Sequence, residues 1–230
     1  MNKYNKLESG RLNVGIFLYP NVTMLDAYGP LQLLALCDEV NVFTFSQLGE
    51  SLLSDAKVML LPNYGFKNCP PIDVLIVPGS ANPSNAINDA DIINRIKEIG
   101  GSAKYITSVC TGTLILAEAG LLDGYNATIH WAYREALANY SKVSVVNERV
   151  VKDRNRISGG GITSGIDFAL ELIAEITGSS ATAQALELLL EYDPQPPFKT
   201  GNSDEVDKKL KEQVQGMVYS IARPLFQSRL

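Results

Sequence analysis

Cys110 closes an apolar, β-branched run, Tyr105-Ile106-Thr107-Ser108-Val109, and stands directly before a helical pattern that begins at Thr111. A strand that turns sharply into a helix presents its corner residue above the sheet, the arrangement in which many hydrolases hold a nucleophile. A thiol there meets unpaired N–H groups and the positive end of the helix dipole, which lower its pKa and favour the thiolate. The competing reading is structural: free cysteines are among the most buried residue types, and Cys110 would then be a small apolar filler at a tight junction.

Asp26 falls in the first turn of the helix expected after the first apolar run, within reach of the thiol if both loops meet at the carboxyl ends of a parallel sheet. A carboxyl beside a thiol can take its proton, return it to a developing product and activate water, a duty that favours a raised pKa. An acid three residues after Thr23 is equally a helix-capping pattern. Gly79 and Ser80 follow Pro78 at the end of another apolar run, placed for their N–H groups to hold an oxyanion or a water. Pro-Gly also marks an ordinary turn. His130 is the only histidine, so any Cys-His mechanism within one chain must use it. Between Ile129 and Trp131 it reads rather as a packed residue with one satisfied ring nitrogen. Gly159, Gly160 and Gly161 lack the G-x-G-x-x-G spacing of a dinucleotide site and read as a place of close backbone approach. Cys37, on an apolar helical face, and Cys69, before two prolines, read as structural.

Positioning these residues requires a frame. Valine- and isoleucine-rich runs at residues 12–18, 40–45, 58–61, 74–77 and 105–109 read as strands, with helices at 24–36 and 86–99 between them. That alternation points to βαβ units and an α/β fold: a largely parallel sheet flanked by helices on both faces. A helix at 111–119 should end at Gly120, followed by a short helix at 131–140. Residues 143–146 and 150–152 suggest a small hairpin, 156–158 another strand, and 164–177 a helix. The core is expected to close near Tyr192. Asp193-Pro194-Gln195-Pro196-Pro197-Phe198 is an extended arm, since proline lacks the N–H and restricts its predecessor. An amphipathic helix at 204–222 follows, carrying Val206, Leu210, Val214, Met217, Val218 and Ile221. We read residues 1–230 as a single domain, with the arm and last helix at about 193–230.

Composition narrows the function classes. With 230 residues, 46% hydrophobic and 20% charged, the chain can bury a sizeable core. A net charge of -5 without a Lys/Arg cluster gives no footprint for nucleic acid. Three widely spaced cysteines suggest neither a disulfide framework nor a zinc site, and point to a reducing compartment. The polar stretch 1–13 lacks the apolar core of a signal sequence, and no apolar run approaches the ~20 residues needed to cross a bilayer. The expectation is a cytoplasmic protein with a small-molecule ligand and no metal.

Asp26, Pro78-Gly79, the Ser108-Val109-Cys110-Thr111-Gly112 elbow, Ala127-Thr128-Ile129-His130-Trp131, Gly161-Ile162-Thr163-Ser164-Gly165-Ile166-Asp167 and the arm Glu191-Tyr192-Asp193-Pro194-Gln195-Pro196-Pro197-Phe198 together resemble the ThiJ/PfpI superfamily, and within it the isonitrile hydratases. The resemblance covers residues 12–201. It implies a flavodoxin-like fold, a homodimer, no cofactor, and hydration of an isonitrile to an N-substituted formamide through a covalent thioimidate. By resemblance Cys110 is the nucleophile, Asp26 its acidic partner, and Thr111 the following residue that shapes the site; Ile162 matches a region near the nucleophile that moves during turnover. Two departures stand out. Relatives that act as peptidases or amidotransferases carry histidine after the cysteine, where this chain has Thr111, and the glycine-rich turn commonly continues with a second glycine, where this chain has Ser80. The alternatives are a glyoxalase or deglycase acting on reactive carbonyls, and a ligand- or oxidation-sensing module like the regulator domains of AraC-type proteins. With one helix after Phe198, a complete DNA-binding regulator is not expected.

Overall fold

Four of the five apolar runs form the centre of one sheet. The computed structural model describes residues 7–227; the first residues of the polar N-terminal stretch and the last of the 193–230 extension lie outside them. Along the chain lie β1 (Leu12–Phe17), α1 (Met24–Leu34), β2 (Val40–Ser46), β3 (Leu52–Leu53), β4 (Met59–Leu60), β5 (Tyr64–Gly65), β6 (Val74–Val77), α2 (Ser84–Ile87), α3 (Ala90–Ser102) and β7 (Tyr105–Val109). There follow α4 (Gly112–Glu118), β8 (Asn126–Ala127), a 3-10 turn (Trp131–Tyr133), α5 (Arg134–Ala138), β9 (Ser144–Val145), β10 (Val150–Asp153), β11 (Arg156–Gly159), α6 (Ser164–Thr177), α7 (Ser180–Leu189), α8 (Lys208–Ala222) and a second 3-10 turn (Arg223–Phe226).

The main sheet runs β10-β11-β7-β6-β1-β2-β5, parallel throughout except for β10 against β11. All four residues of β6 and the last four of β1 are buried, as expected of strands whose two faces are both covered. The covering helices pack as two groups, α1 with α6 and α7, and α2 with α3 and α4. Helix α6 turns Phe168, Ala169, Leu172 and Ile173 inward at helical spacing and ends at Gly178, whose φ of 67° is the left-handed cap. Because β1 leads outward to β2 on one side and β6 lies on its other side, the strand order reverses between β1 and β6. A crevice opens at the carboxyl ends of strands at such a point.

Several expectations shift. The run 58–61 contributes only β4, paired antiparallel with β3 outside the main sheet, with Val58, Met59 and Leu61 exposed and Pro62 ending it. The helix expected at 86–99 is two helices, because the Asp89 carboxylate accepts from the N–H groups of Asp91 and Ile92 and starts α3 afresh. The expected 143–152 hairpin does not form: β9 pairs in parallel with β8, and β10 turns back through Arg154, at a φ of 55°, to pair with β11. Helix α7 had no reading in the sequence. The last helix begins at Lys208, where Asp207 caps it, rather than at 204.

Candidate active site

The crevice gathers three segments: the turn from β1 into α1, the loop after β6, and the corner between β7 and α4. Cys110 sits at that corner with a φ of 56°, a conformation that a β-carbon disfavours and that marks stored strain at a sharp turn. The turn closes tightly because residue 112 is glycine. A β-carbon there would lie 1.9 Å from the Val77 carbonyl oxygen, so α4 starts almost on top of the end of β6. Cys110 N–H donates to Gly159 O at 2.9 Å, tying the corner to β11. Beneath it runs a buried hydroxyl chain. Ser108 and Thr113 share a hydrogen bond at 2.8 Å, Thr113 donates to Thr128 O at 3.0 Å, and Thr128 N–H donates to Ser158 Oγ at 2.9 Å. The Ala127–Trp131 motif therefore braces the elbow from below.

Asp26 is fully buried in the first turn of α1. It caps nothing: Thr23 makes no side-chain cap bond, and Asp26 Oδ2 instead accepts from Gly79 N–H at 3.0 Å across the crevice. Its other oxygen, Oδ1, has no hydrogen-bond partner. The Cys110 thiol lies beside the carboxyl, and its hydrogen bonding favours the Asp26 charge. Pro30, four residues on in α1, has no N–H to give the Asp26 carbonyl. Burial is the largest influence on the carboxyl and pushes its pKa up to about 7, against the pull of the Gly79 N–H.

The thiol follows the same logic with the opposite outcome to the helix-dipole expectation. Cys110 is 5% exposed, and burial, followed by the nearby Asp26 charge, raises its pKa well above that of a free thiol; the Thr111 N–H opposes this more weakly. Helix α4 spans two turns, too little to outweigh burial and a facing carboxylate. The resting Cys110 side chain is thus a neutral thiol, with a carboxyl of near-neutral pKa beside it.

Gly79 and Ser80 are both at the site, but their N–H groups are taken. Gly79 N–H is on Asp26, and Ser80 N–H donates to Thr111 Oγ1 at 2.8 Å, while the Thr111 hydroxyl donates back to Ser80 O at 2.6 Å. In this geometry they hold the acid and the loop, not an oxyanion. Thr111 accordingly acts as a clasp between elbow and loop. His130 stands apart. Its Nδ1 accepts from Ala132 N–H at 3.3 Å, capping the 3-10 turn, and burial with Arg134 nearby lowers its pKa to about 4. Ile162 is 38% exposed in the turn that follows Gly159. Among the described residues no group of three His, Cys, Asp or Glu side chains is placed to hold a metal ion.

Two buried tyrosines near the thiol escaped the sequence reading. Tyr19 and Tyr133 both lie near enough to Cys110 for its ionisation to be coupled to theirs, and each donates its phenol to the loop after β6, to Pro78 O at 3.1 Å and to Ala81 O at 2.5 Å. Tyr19 had a signal, as it follows Phe17 by two residues and so shares its strand face; Tyr133 had none.

A family model described as DJ-1/PfpI matches residues 13–175. The chain is 42% identical over 193 residues to an isonitrile hydratase of Pseudomonas putida, an alignment covering 84% of each chain. A crystal structure of a ThiJ/PfpI family protein from Pseudomonas syringae overlays with a TM-score of 0.89 at 34% identity, covering 94% of this chain and 90% of that one. The HTH-type transcriptional regulator GbdR of Pseudomonas aeruginosa is 25% identical over 185 residues, and the chain spans 50% of that regulator's length.

Proposed function

Because the chain belongs to the DJ-1/PfpI family, we propose that it is an enzyme hydrating an isonitrile to an N-substituted formamide, with Cys110 as nucleophile and Asp26 as its proton partner. The observation that carries this reading is the buried thiol–carboxyl pair at the elbow, with the lone histidine engaged elsewhere. Similarity to the Pseudomonas putida isonitrile hydratase supports the choice of reaction.

The terminal carbon of R–N≡C must gain both a nucleophile and a proton. The Cys110 sulfur adds to that carbon as its proton passes, by way of the Asp26 carboxylate, to the same carbon, giving the thioimidate R–N=CH–S–Cys110. Asp26 then takes a proton from water as the oxygen adds to the carbon and passes it to the nitrogen, giving R–NH–CH(OH)–S–Cys110. Expulsion of the Cys110 sulfur, which receives the hydroxyl proton by way of Asp26, leaves R–NH–CHO. The sum is one isonitrile plus one water. A group with a pKa of about 7 suits both the accepting and the donating step at neutral pH. Burial of the pair keeps bulk water from competing for those protons. No step calls for a cofactor.

We further read the protein as a cytoplasmic homodimer. Among the described residues no helix is long and apolar enough to cross a membrane. Leu48, Met59 and Leu61 are large apolar side chains left exposed, at 73%, 60% and 70%, and a second copy could cover them. A light-scattering mass of one chain would refute the dimer. The test of function is formamide production from cyclohexyl isocyanide by the unmodified protein, by Cys110→Ala and by Asp26→Asn. Turnover lost in both variants is expected. Absence of turnover in the reduced, unmodified protein would overturn the reading, and lactate from methylglyoxal would replace it with carbonyl chemistry. Binding of a ligand without turnover would instead align the chain with the regulator domains.

A further inference from the structure

Residues 78–81 form a loop with no strand or helix to fix it, yet every one of them is tied. Thr23 N–H donates to Gly79 O at 2.8 Å and the Thr111 hydroxyl clasps Ser80 on both sides. The two ends are held by phenols, Tyr19 on Pro78 O and Tyr133 on Ala81 O. Both rings are buried, at 3% and 4% exposure, and each already has apolar company: Tyr19 stacks on Phe17 at 5.5 Å and Tyr133 on Phe226 at 5.8 Å. Phenylalanine would fill the same space without burying a hydroxyl, which is unfavourable unless it is bonded. The hydroxyls are therefore placed for what they hold.

We propose that Tyr19 and Tyr133 are positioning residues for Asp26: their phenols fix the two ends of the 78–81 loop so that Gly79 N–H stays on the carboxylate. The inference rests on the reading of Asp26 as the group that moves protons. The C-terminal segment extends the restraint outward. Asn82 Nδ2 donates to Ile221 O at 2.9 Å, Gln215 Nε2 donates to Ala132 O at 3.0 Å, and Tyr219 packs edge-on against Phe226 at 4.3 Å. Helix α8 thus grips both the end of the loop and the turn that carries Tyr133.

The groups facing the Asp26 carboxyl are the Cys110 thiol from the elbow, Asp55 from the segment after β3, Tyr19 from the turn between β1 and α1, and Gly79 N–H from the loop. Gly79 N–H donates to it from the backbone and favours the charged form more strongly than the Cys110 thiol does, so slackening the loop weakens the larger of the two hydrogen-bonding influences on that charge. The test titrates the full-length protein labelled with 13C at aspartate carboxyls, identifying the Asp26 signal by its loss in Asp26→Asn. Tyr19→Phe and Tyr133→Phe should each raise its midpoint by about half a pH unit or more, while other aspartate signals keep theirs. A midpoint unchanged in both overturns the proposal, and a rise in one alone overturns it for the other. Should a phenylalanine variant fail to fold, Phe17→Leu loosens Tyr19 and Phe226→Leu loosens Tyr133 from outside the loop; each must raise the midpoint, and no rise overturns that tyrosine's part. In parallel, turnover of cyclohexyl isocyanide should lose kcat with little change in KM. If the unmodified protein turns over no isocyanide, the hydratase reading fails while the carboxyl titration still decides the role of the tyrosines.

Discussion

Replacing Asp26 by asparagine should raise the stability of the protein at pH 8 and change it far less at pH 4.5. The carboxyl is fully buried, accepts one hydrogen bond and leaves Oδ1 unpartnered, so its charged form is poorly compensated. Its pKa of about 7 in the folded chain compares with 3.8 when solvated. A raised acid holds its proton in the folded state where the unfolded state has released it. The associated stability is therefore fully present below pH 4 and is lost as pH rises through 7. Roughly three pK units correspond to about 4 kcal/mol in full, of which about 3 kcal/mol falls between pH 4.5 and 8. Asparagine keeps an oxygen for Gly79 N–H and removes the titration. The assay is urea unfolding of both proteins at fixed concentration across that range, reading the difference in stability so that every other titrating group cancels. A difference that stays flat within about 0.5 kcal/mol would show that the carboxyl is not desolvated, and the near-neutral proton partner on which the mechanism depends would be gone.

Other substitutions test other links. Gly112→Ala should give no folded protein, because its β-carbon would meet backbone oxygen at 1.9 Å on one side and 2.8 Å on the other; a normal thermal transition would refute the elbow geometry. Gly79→Ala forces a carbon to 2.5 Å from Thr111 N and 2.9 Å from Asp26 Oδ2, so formamide production should fall at least about 100-fold, checked by steady-state kinetics. Thr113→Val breaks the hydroxyl chain under the elbow and leaves partners unsatisfied, which should lower stability by about 1–3 kcal/mol in urea unfolding. His130→Asn preserves a capping side chain, and turnover within about threefold of the parent is expected. A loss as deep as that of Asp26→Asn would make the histidine catalytic.

What could be read from the chain depended on how local its causes were. The bounds of β6, β7 and α6 match because uniformly apolar, β-branched runs and a periodic apolar helix with a glycine cap carry their own signal. The partners of β9 and β10 did not, since those short strands are set by distant contacts such as Thr128 Oγ1 on Glu148 O and Arg149 O on Gly160 N–H. The candidate residues Cys110, Asp26, Gly79, Ser80 and Thr111 do meet in one place, as the strand-end rule predicts. Their roles were less legible. Whether Asp26 caps its helix or crosses the crevice is decided by a residue 53 positions away, and the availability of Gly79 and Ser80 N–H by side chains on α1 and at the elbow.

The thiol carries the largest departure, and it bears on the chemistry. A cysteine activated in advance by a helix terminus or a histidine holds a thiolate and leaves its proton elsewhere, which suits attack on a carbonyl whose oxygen can wait for a donor. An isonitrile carbon has different needs: the atom that receives sulfur must also receive the proton. In the proposed hydration, keeping that proton between sulfur and an adjacent carboxyl delivers both to one atom without a separate acid. On the proposed mechanism, burial that disfavours both charges is the means of holding proton and sulfur together until the substrate carbon arrives. Thiol ionisation and turnover should therefore separate with pH. Alkylation of Cys110 by a neutral reagent should rise steeply only at alkaline pH, following the raised thiol, whereas turnover of isocyanide should already be near its maximum once Asp26 ionises near pH 7. If both profiles rose together with one midpoint, a preformed thiolate would be sufficient for the reaction and the shared proton would have no part in it.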